Sequence, residues 1–213
     1  MESFPSTEGP AVLEDLVRSI RDNAAALSEI DGAIGDGDHG INMSKGFTMC
    51  AERLAGARYD LATGLTTLGT LLLGEIGGAM GPLYGTFFRE MAKPAKGKEV
   101  IDGPLFQTML QRAIDGVVAL GGAHVGDKTL LDALAPANQA FATALVGGKT
   151  FDEALLTMGE AAEQGKESTR GLVAKVGRAS RLGERSRGVL DAGAASCALI
   201  LRSMEASMRR LLR

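Results

Sequence analysis

Residues 31–40 read Asp31-Gly32-Ala33-Ile34-Gly35-Asp36-Gly37-Asp38-His39-Gly40. Gly35, Gly37 and Gly40 fall at the spacing G-x-G-x-x-G, which makes a phosphate-binding turn when it joins a strand to a helix in a βαβ unit. What precedes the turn therefore decides the fold. Upstream, Val12, Leu13, Leu16, Val17, Ile20, Ala24 and Leu27 recur at steps of three and four residues, with Pro10 near the first turn. That spacing is an amphipathic helix with a proper start, not a strand. The glycine turn is read as a corner between two helices, and the dinucleotide fold is set aside.

Further helical runs are predicted at about 41–55, 60–76, 82–93, 104–120, 128–146, 151–174 and 191–212. Thr150-Phe151-Asp152-Glu153 supplies a capping box for the seventh helix. No run alternates β-branched and polar residues, so no strand is predicted. The expected class is all-α: about eight antiparallel helices in an up-and-down barrel or bundle, as one domain over residues 1–213. Short connections in such an arrangement alternate between its two ends. The loops at 31–40, 77–85, 121–129 and 177–193 then share one end. The other end receives LAGARYD (54–60), KPAKGKEVIDG (93–103) and LVGGKT (145–150), which are ordinary polar turns. The unusual sequence is thus gathered on one face. Gly64, Gly69 and Gly74 inside the third helix each cost about 1 kcal/mol relative to alanine, an expense that close helix packing offsets.

Three aspartates, Asp31, Asp36 and Asp38, lie within eight residues. Two unit charges about 5 Å apart repel by roughly 3 kcal/mol at an effective dielectric near 20. A hard divalent cation removes that cost, and Mg²⁺ in particular is held by a few carboxylates together with phosphate oxygens. Other motifs fail on context. An EF-hand beginning at Asp36 needs an acidic twelfth residue, and Phe47 stands there. GGAHVGDKT (121–129) approaches a P-loop, but Asp127 intrudes before Lys128-Thr129 and no strand leads in. Asp127 and Thr129 are instead expected to cap the sixth helix, and His124 is read as an ordinary loop histidine. His39, beside Asp38, is a candidate for phosphate contact or acid–base work. Gly40-Ile41-Asn42 opens a helix whose free amides can face an anion. Arg178 suits phosphate oxygens, whereas Arg181 and Arg187 are read as solvated.

The 213 residues carry a net charge of −3, 45% hydrophobic and 4% aromatic residues, and no tryptophan. That balance gives no basis for a nucleic-acid partner. No apolar run approaches the roughly 20 residues that span a bilayer, and the acidic start MESFPSTEGP is not read as a signal peptide. A cytoplasmic protein is expected. Cys50 and Cys197 sit in helical patterns and are read as buried small hydrophobes.

Assembled, the stretches IGDGDHGINMSKGF (34–47), GGAMGPLYGTFF (77–88), GDKTLLDAL (126–134) and GRASRLGERSRGVLDAGA (177–194) resemble the nucleotide-binding L subunits of dihydroxyacetone kinases. The resemblance covers essentially the whole chain. It implies an eight-helix antiparallel barrel that holds ADP or ATP at one end. Two Mg²⁺ ions would lie between Asp31, Asp36 and Asp38 and the phosphates. His39, Gly40, Ile41, Asn42, Ala79, Met80, Gly122, Leu130 and Arg178 would lie along the nucleotide, with Asp191, Ala192 and Gly193 closing over its base end. Two positions depart from the family pattern: Met80 stands where serine is common, and Ala192 where proline is common. The last loop is therefore expected to be less rigid.

In the family, the ketose is bound covalently to a histidine of a separate K subunit or domain. These residues supply no such domain, so the chain is expected to be half of an enzyme. The resemblance implies a phosphotransferase-system protein that rephosphorylates bound ADP. The alternatives are exchangeable ATP used on dihydroxyacetone or another short ketose, and a regulatory module that senses nucleotide without turnover.

Overall fold

The computed structural model describes residues 2–213. Nine α-helices make up most of it: α1 (Gly9–Asp22), α2 (Ala24–Gly32), α3 (His39–Leu54), α4 (Leu61–Glu75), α5 (Met80–Ala95), α6 (Gly103–Gly121), α7 (Leu131–Val146), α8 (Phe151–Ser168) and α9 (Ala192–Leu211). The all-α class is as expected. The helix count differs because the first predicted helix is two. The chain breaks at Asn23 (φ −106°, ψ 6°), whose side-chain amide donates to the Ser19 carbonyl at 2.9 Å. Asparagine competes for backbone groups in this way, and the break redirects α2 so that it packs on α3. The predicted run 151–174 also ends early, at Ser168, followed by a 3₁₀ turn at Thr169–Gly171.

Local chemistry starts most of the remaining helices. Asp60 caps α4 by accepting the Thr63 N–H at 2.8 Å, and Asp102 caps α6 through the Leu105 N–H at 2.9 Å. The expected capping box of Thr150 and Glu153 opens α8. Each such cap contributes about 1 kcal/mol.

Two three-residue strands, β1 (Ser3–Pro5) and β2 (Val100–Asp102), pair antiparallel with Phe4 opposite Ile101. This corrects the expectation of no strand: three residues are too few to leave a readable alternation. Ser3 also exchanges backbone hydrogen bonds with Arg213, so the C-terminal residue joins the edge of β1.

Successive helices from α3 to α9 pack on one another, and α9 packs on α1 as well as on α8. The interior between them is largely aliphatic, with Leu16, Leu65, Leu68, Leu134, Leu155 and Leu201 essentially inaccessible. Two aromatic groups lie within this interior. Phe47 and Phe87 both meet Phe88 edge-on, and Phe106, Phe141 and Phe151 form a second set. Cys50 and Cys197 are buried free thiols, as expected.

The helix glycines divide into two kinds. At Gly69 an added Cβ would stand 2.7 Å from the Gly85 carbonyl oxygen, so α4 and α5 touch backbone to backbone there. At Gly64 it would press on Leu13 and Tyr59 at 3.0 Å. Gly74 faces open space, so packing offsets the cost of two of the three glycines and not the third.

Candidate functional site

A cavity of about 450 Å³ opens at one end of the helices, and all four unusual loops contribute to its wall. The corner between α2 and α3 brings the carboxylates. Asp31 lies in the last turn of α2, and its carbonyl oxygen accepts the Ile34 N–H at 3.1 Å as the chain turns. A Cβ at Gly35 would stand 2.4 Å from Asp31 Oδ1, and Gly37 adopts φ +76°, so this corner needs glycine at both places. The outcome is that one oxygen each of Asp31, Asp36 and Asp38 lies within 4.8 Å of the others.

The aspartates are not explained as helix caps. Asp38 precedes α3 but makes no side-chain capping bond. One Asp31 oxygen accepts the His39 N–H, at a long 3.3 Å, and Asp36 pairs with the Arg178 guanidinium. Three convergent carboxylates with spare oxygens suit a hard divalent cation. Here the arginine supplies the compensating charge at Asp36.

His39 begins α3, and its ring lies inside the wall. Its Nε2 is 2.9 Å from Ser196 Oγ, which is 2.6 Å from the Tyr84 hydroxyl. Tyr84 also donates to the Gly193 carbonyl at 2.9 Å. Burial holds His39 below its ordinary pKa, against a smaller opposing pull from Asp31. At neutral pH it is therefore an uncharged ring, oriented by its neighbours rather than a standing positive charge. Gly40 is buried where α3 crosses α2: a Cβ there would lie 1.8 Å from the Ala24 carbonyl oxygen. Ile41 points away, 65% exposed, and Asn42 returns to the cavity wall.

The second loop brings Gly77, Gly78, Ala79 and Met80, and the amides opening α5 there have no side-chain cap. Beyond them the wall turns apolar, with Leu83, Val117, Leu120, Ala123, Leu130 and Val176. Gly122 ends α6 in the left-handed conformation at φ 64° and does not itself line the cavity, unlike Gly121 and Ala123 on either side.

The third loop differs from expectation. The helix expected from residue 128 begins at Leu131. Asp127 braces the loop by accepting the His124 N–H at 2.8 Å, and its carboxyl is held below the usual range. Thr129 Oγ1 accepts the Leu131 N–H at 3.2 Å. The main brace is Asp132, which accepts the Gly126 and Thr129 amides. His124 is exposed, as the loop reading expected.

The fourth wall comes from 176–193. Arg178 reaches the cavity through its pairing with Asp36. Arg187, expected to be merely solvated, pairs with Glu184 at 3.0 Å and donates to the Gly171 carbonyl. Asp191 caps α9 by accepting the Ala194 N–H at 2.7 Å, and burial pushes its carboxyl up to about 7. Ala192 and Gly193 lie beside it on the wall. The looser last loop expected from Ala192 is held by contacts the sequence does not advertise. The Asp191 N–H donates to Thr169 Oγ1 at 3.0 Å, and the Ala174 N–H donates to Ser186 Oγ at 2.9 Å.

Most residues predicted for the site therefore meet at one cavity, with Gly40, Ile41 and Gly122 beside it rather than in its wall. Sequence reasoning missed Tyr84, Ser196, Asp132 and Thr169. Tyr84 lies inside the quoted stretch 77–88 and Ser196 two residues beyond 177–194, but nothing local marks either as a partner of His39.

Known proteins resemble this chain over most of its length. The DAK2 domain model matches residues 33–206. The chain is 36% identical to the "PEP-dependent dihydroxyacetone kinase 1, ADP-binding subunit DhaL" of Listeria innocua, over 90% of this chain and 91% of that protein. It is 36% identical to the corresponding ADP-binding subunit of Escherichia coli, over 84% and 85% of the two chains. An L-erythrulose kinase of Pectobacterium atrosepticum is 34% identical over 86% of this chain, which spans only 32% of that longer protein. The crystal structure of the C. freundii dihydroxyacetone kinase in complex with AMP-PNP and Mg²⁺ superposes with a TM-score of 0.68 and 25% identity, covering 95% of this chain and 34% of that one. With the family model matched over most of its length and such relatives aligned nearly end to end, the chain belongs to the DAK2 domain family of dihydroxyacetone kinase L subunits.

Proposed function

We propose that residues 1–213 form one nucleotide-binding domain, which transfers phosphate from a nucleotide to a small ketose held on a separate K subunit. One observation carries this reading. The cavity joins a three-carboxylate corner to an apolar wall, the two chemistries that a metal-bound phosphate chain and a nucleobase require. ADP or ATP would lie with its phosphates toward Asp31, Asp36 and Asp38 and its base against Leu130 and the segment Asp191–Gly193. Ala79 and Met80 would flank it.

Those aspartates would hold Mg²⁺, two ions in this reading. The metal would neutralise the phosphate oxygens and so lower the charge barrier to transfer. Phosphoryl transfer needs positioning and charge stabilisation more than covalent help from the protein. The amides opening α3 and α5 face the same region and favour negative charge. His39, neutral and fixed through Ser196, offers a hydrogen bond to the phosphates without changing the net charge. Arg178 is poised to exchange its partner Asp36 for a phosphate oxygen once a cation occupies the corner.

The relatives named PEP-dependent or PTS-dependent support bound ADP as a cofactor, rephosphorylated by a phosphotransferase-system protein. The ketose is read as dihydroxyacetone. The erythrulose kinases favour a second reading, an exchangeable ATP used on a tetrulose. Ile41, Leu120 and Val125 are more than half exposed near the mouth, which supports docking of a K subunit there. No described helix is long and apolar enough to cross a membrane, in keeping with a cytoplasmic site of action.

Asp36→Asn tests the reading. It should abolish Mg²⁺-dependent ADP binding in calorimetry while leaving the helical spectrum intact; unchanged affinity sinks the proposal. Nucleotide released on denaturing the purified protein separates the two donor readings. Stoichiometric ADP indicates the cofactor type, and an empty site indicates exchangeable ATP.

A further inference from the structure

Lys128 is 2% exposed and forms no ion pair within 4 Å among the described residues; the Asp191 and Asp132 carboxylates act on it only from farther away. Its Nζ donates to the carbonyl oxygens of Thr169 and Val189, both at 2.6 Å, and of Leu172 at 3.4 Å. An ammonium has three donors, and all three are spent on backbone oxygens. Lys128 is also the one residue other than glycine with positive φ among the described residues, at 65°. Glycine or asparagine adopts that conformation more readily. A buried charge in a strained backbone position is costly on both counts. Its use must lie in what the side chain joins.

It joins two walls of the cavity. Thr169 is where the chain leaves α8, and Val189 lies just before α9. One ammonium therefore pins both ends of the intervening segment to the 123–130 loop. A second tie lies nearby: the Lys175 N–H donates to the Asp127 carbonyl at 3.1 Å, and Lys175 Nζ pairs with Asp127 Oδ1 at 3.0 Å. Thr169, once fixed by Lys128, accepts the Asp191 N–H, and Asp191 in turn caps α9. Leu130 on one side and Val176, Arg178 and Asp191 on the other are set relative to each other through this chain of contacts.

We propose that Lys128 is a positioning residue that holds the base-side wall of the cavity closed around the nucleotide. The proposal rests on the nucleotide reading given above. Lys128 lines the cavity, but its donors are committed to backbone oxygens; it acts through Thr169 and Asp191.

The test uses the full chain, with Lys128→Met to remove the donors and Lys128→Gly to remove them while relieving the backbone. Arg209→Ala is the control, because it breaks the Arg209–Asp152 pair between α8 and α9 away from the cavity. Hydrogen exchange without nucleotide and ADP affinity with Mg²⁺ are measured well below the melting temperature of each protein. Both Lys128 variants should bind ADP at least tenfold more weakly than the parent. Amides of residues 170–190 should exchange at least tenfold faster, and Arg209→Ala should change neither. Parental affinity in Lys128→Gly, or an equal loss of affinity in the control, overturns the proposal. A parent chain that binds no ADP instead refutes the nucleotide reading, whereas normal parental binding with unaltered variants refutes only the role of Lys128.

Discussion

Gly40→Ala is the substitution that most directly joins fold to site. A Cβ at Gly40 would stand 1.8 Å from the Ala24 carbonyl oxygen and 2.8 Å from the Ser28 amide nitrogen. Carbon and oxygen approach to about 3.3 Å at closest, so α2 and α3 must separate by about 1.5 Å. Forcing a methyl group into packed structure costs about 1–3 kcal/mol, and here the obstacle is backbone, which places the cost near the upper end. Alanine returns about 1 kcal/mol of helix propensity, for a net loss of about 1–2 kcal/mol. In a chain of this size that lowers the melting temperature by roughly 2–8 °C.

The displacement also falls between Asp31 on α2 and Asp38-His39 at the start of α3. A shift of about 1 Å in such positioning groups can cost about 100-fold in rate. Mg²⁺-dependent ADP affinity and turnover with the K partner should therefore fall well beyond what the melting shift implies. Gly74→Ala is the internal comparison, since its Cβ meets nothing within 4 Å. The same exchange there should raise the melting temperature by about 2–4 °C and leave nucleotide binding unchanged. Calorimetric melting of both variants beside ADP titration reads all these quantities. If Gly40→Ala melts at or above the parental temperature and binds ADP normally, the close helix crossing is not what positions the carboxylate corner.

Ala192→Pro should stabilise the chain by about 0.4–1 kcal/mol, read as a higher melting temperature. Position 192 opens α9, where proline is favoured, and Asp191 already holds the extended backbone (φ −81°, ψ 129°) that a following proline requires; a lower melting temperature would show that the ring does not fit. Asp191 sets a pH dependence whose sign is fixed by its raised pKa. Below the ordinary carboxylate value both folded and unfolded states are protonated; between there and about 7 only the folded state keeps the proton. This group's contribution thus declines as pH rises through that window, by at most about 1.4 kcal/mol per unit. Asp191→Asn keeps a good cap and removes the titration, so the parent should lose melting temperature relative to the variant between pH 5 and 7. A constant gap between the two curves refutes this.

What could be read from the chain alone follows from the range of its signals. The carboxylates at 31, 36 and 38 are local in sequence, and glycine fixes their turn within the same ten residues. Their convergence was therefore legible without any long-range contact. Helix periodicity and the loop alternation that gathers the four loops at one end are likewise carried by neighbours. Asn23 shows the limit. A lone asparagine in an apolar pattern does not announce a break, because whether its amide turns back to Ser19 depends on what α2 packs against.

The sequence by itself determined the helical class, the three-carboxylate corner and the end of the molecule where the loops collect. Each of these rests on side chains within a few residues of one another. Only the tertiary structure decided how the walls are held: His39 meets Ser196 across 157 positions, and Lys128 meets Thr169 and Val189 across 41 and 61. A buried ammonium or hydroxyl takes whatever acceptors the packed backbone brings within reach, and helix packing, not sequence spacing, sets that geometry.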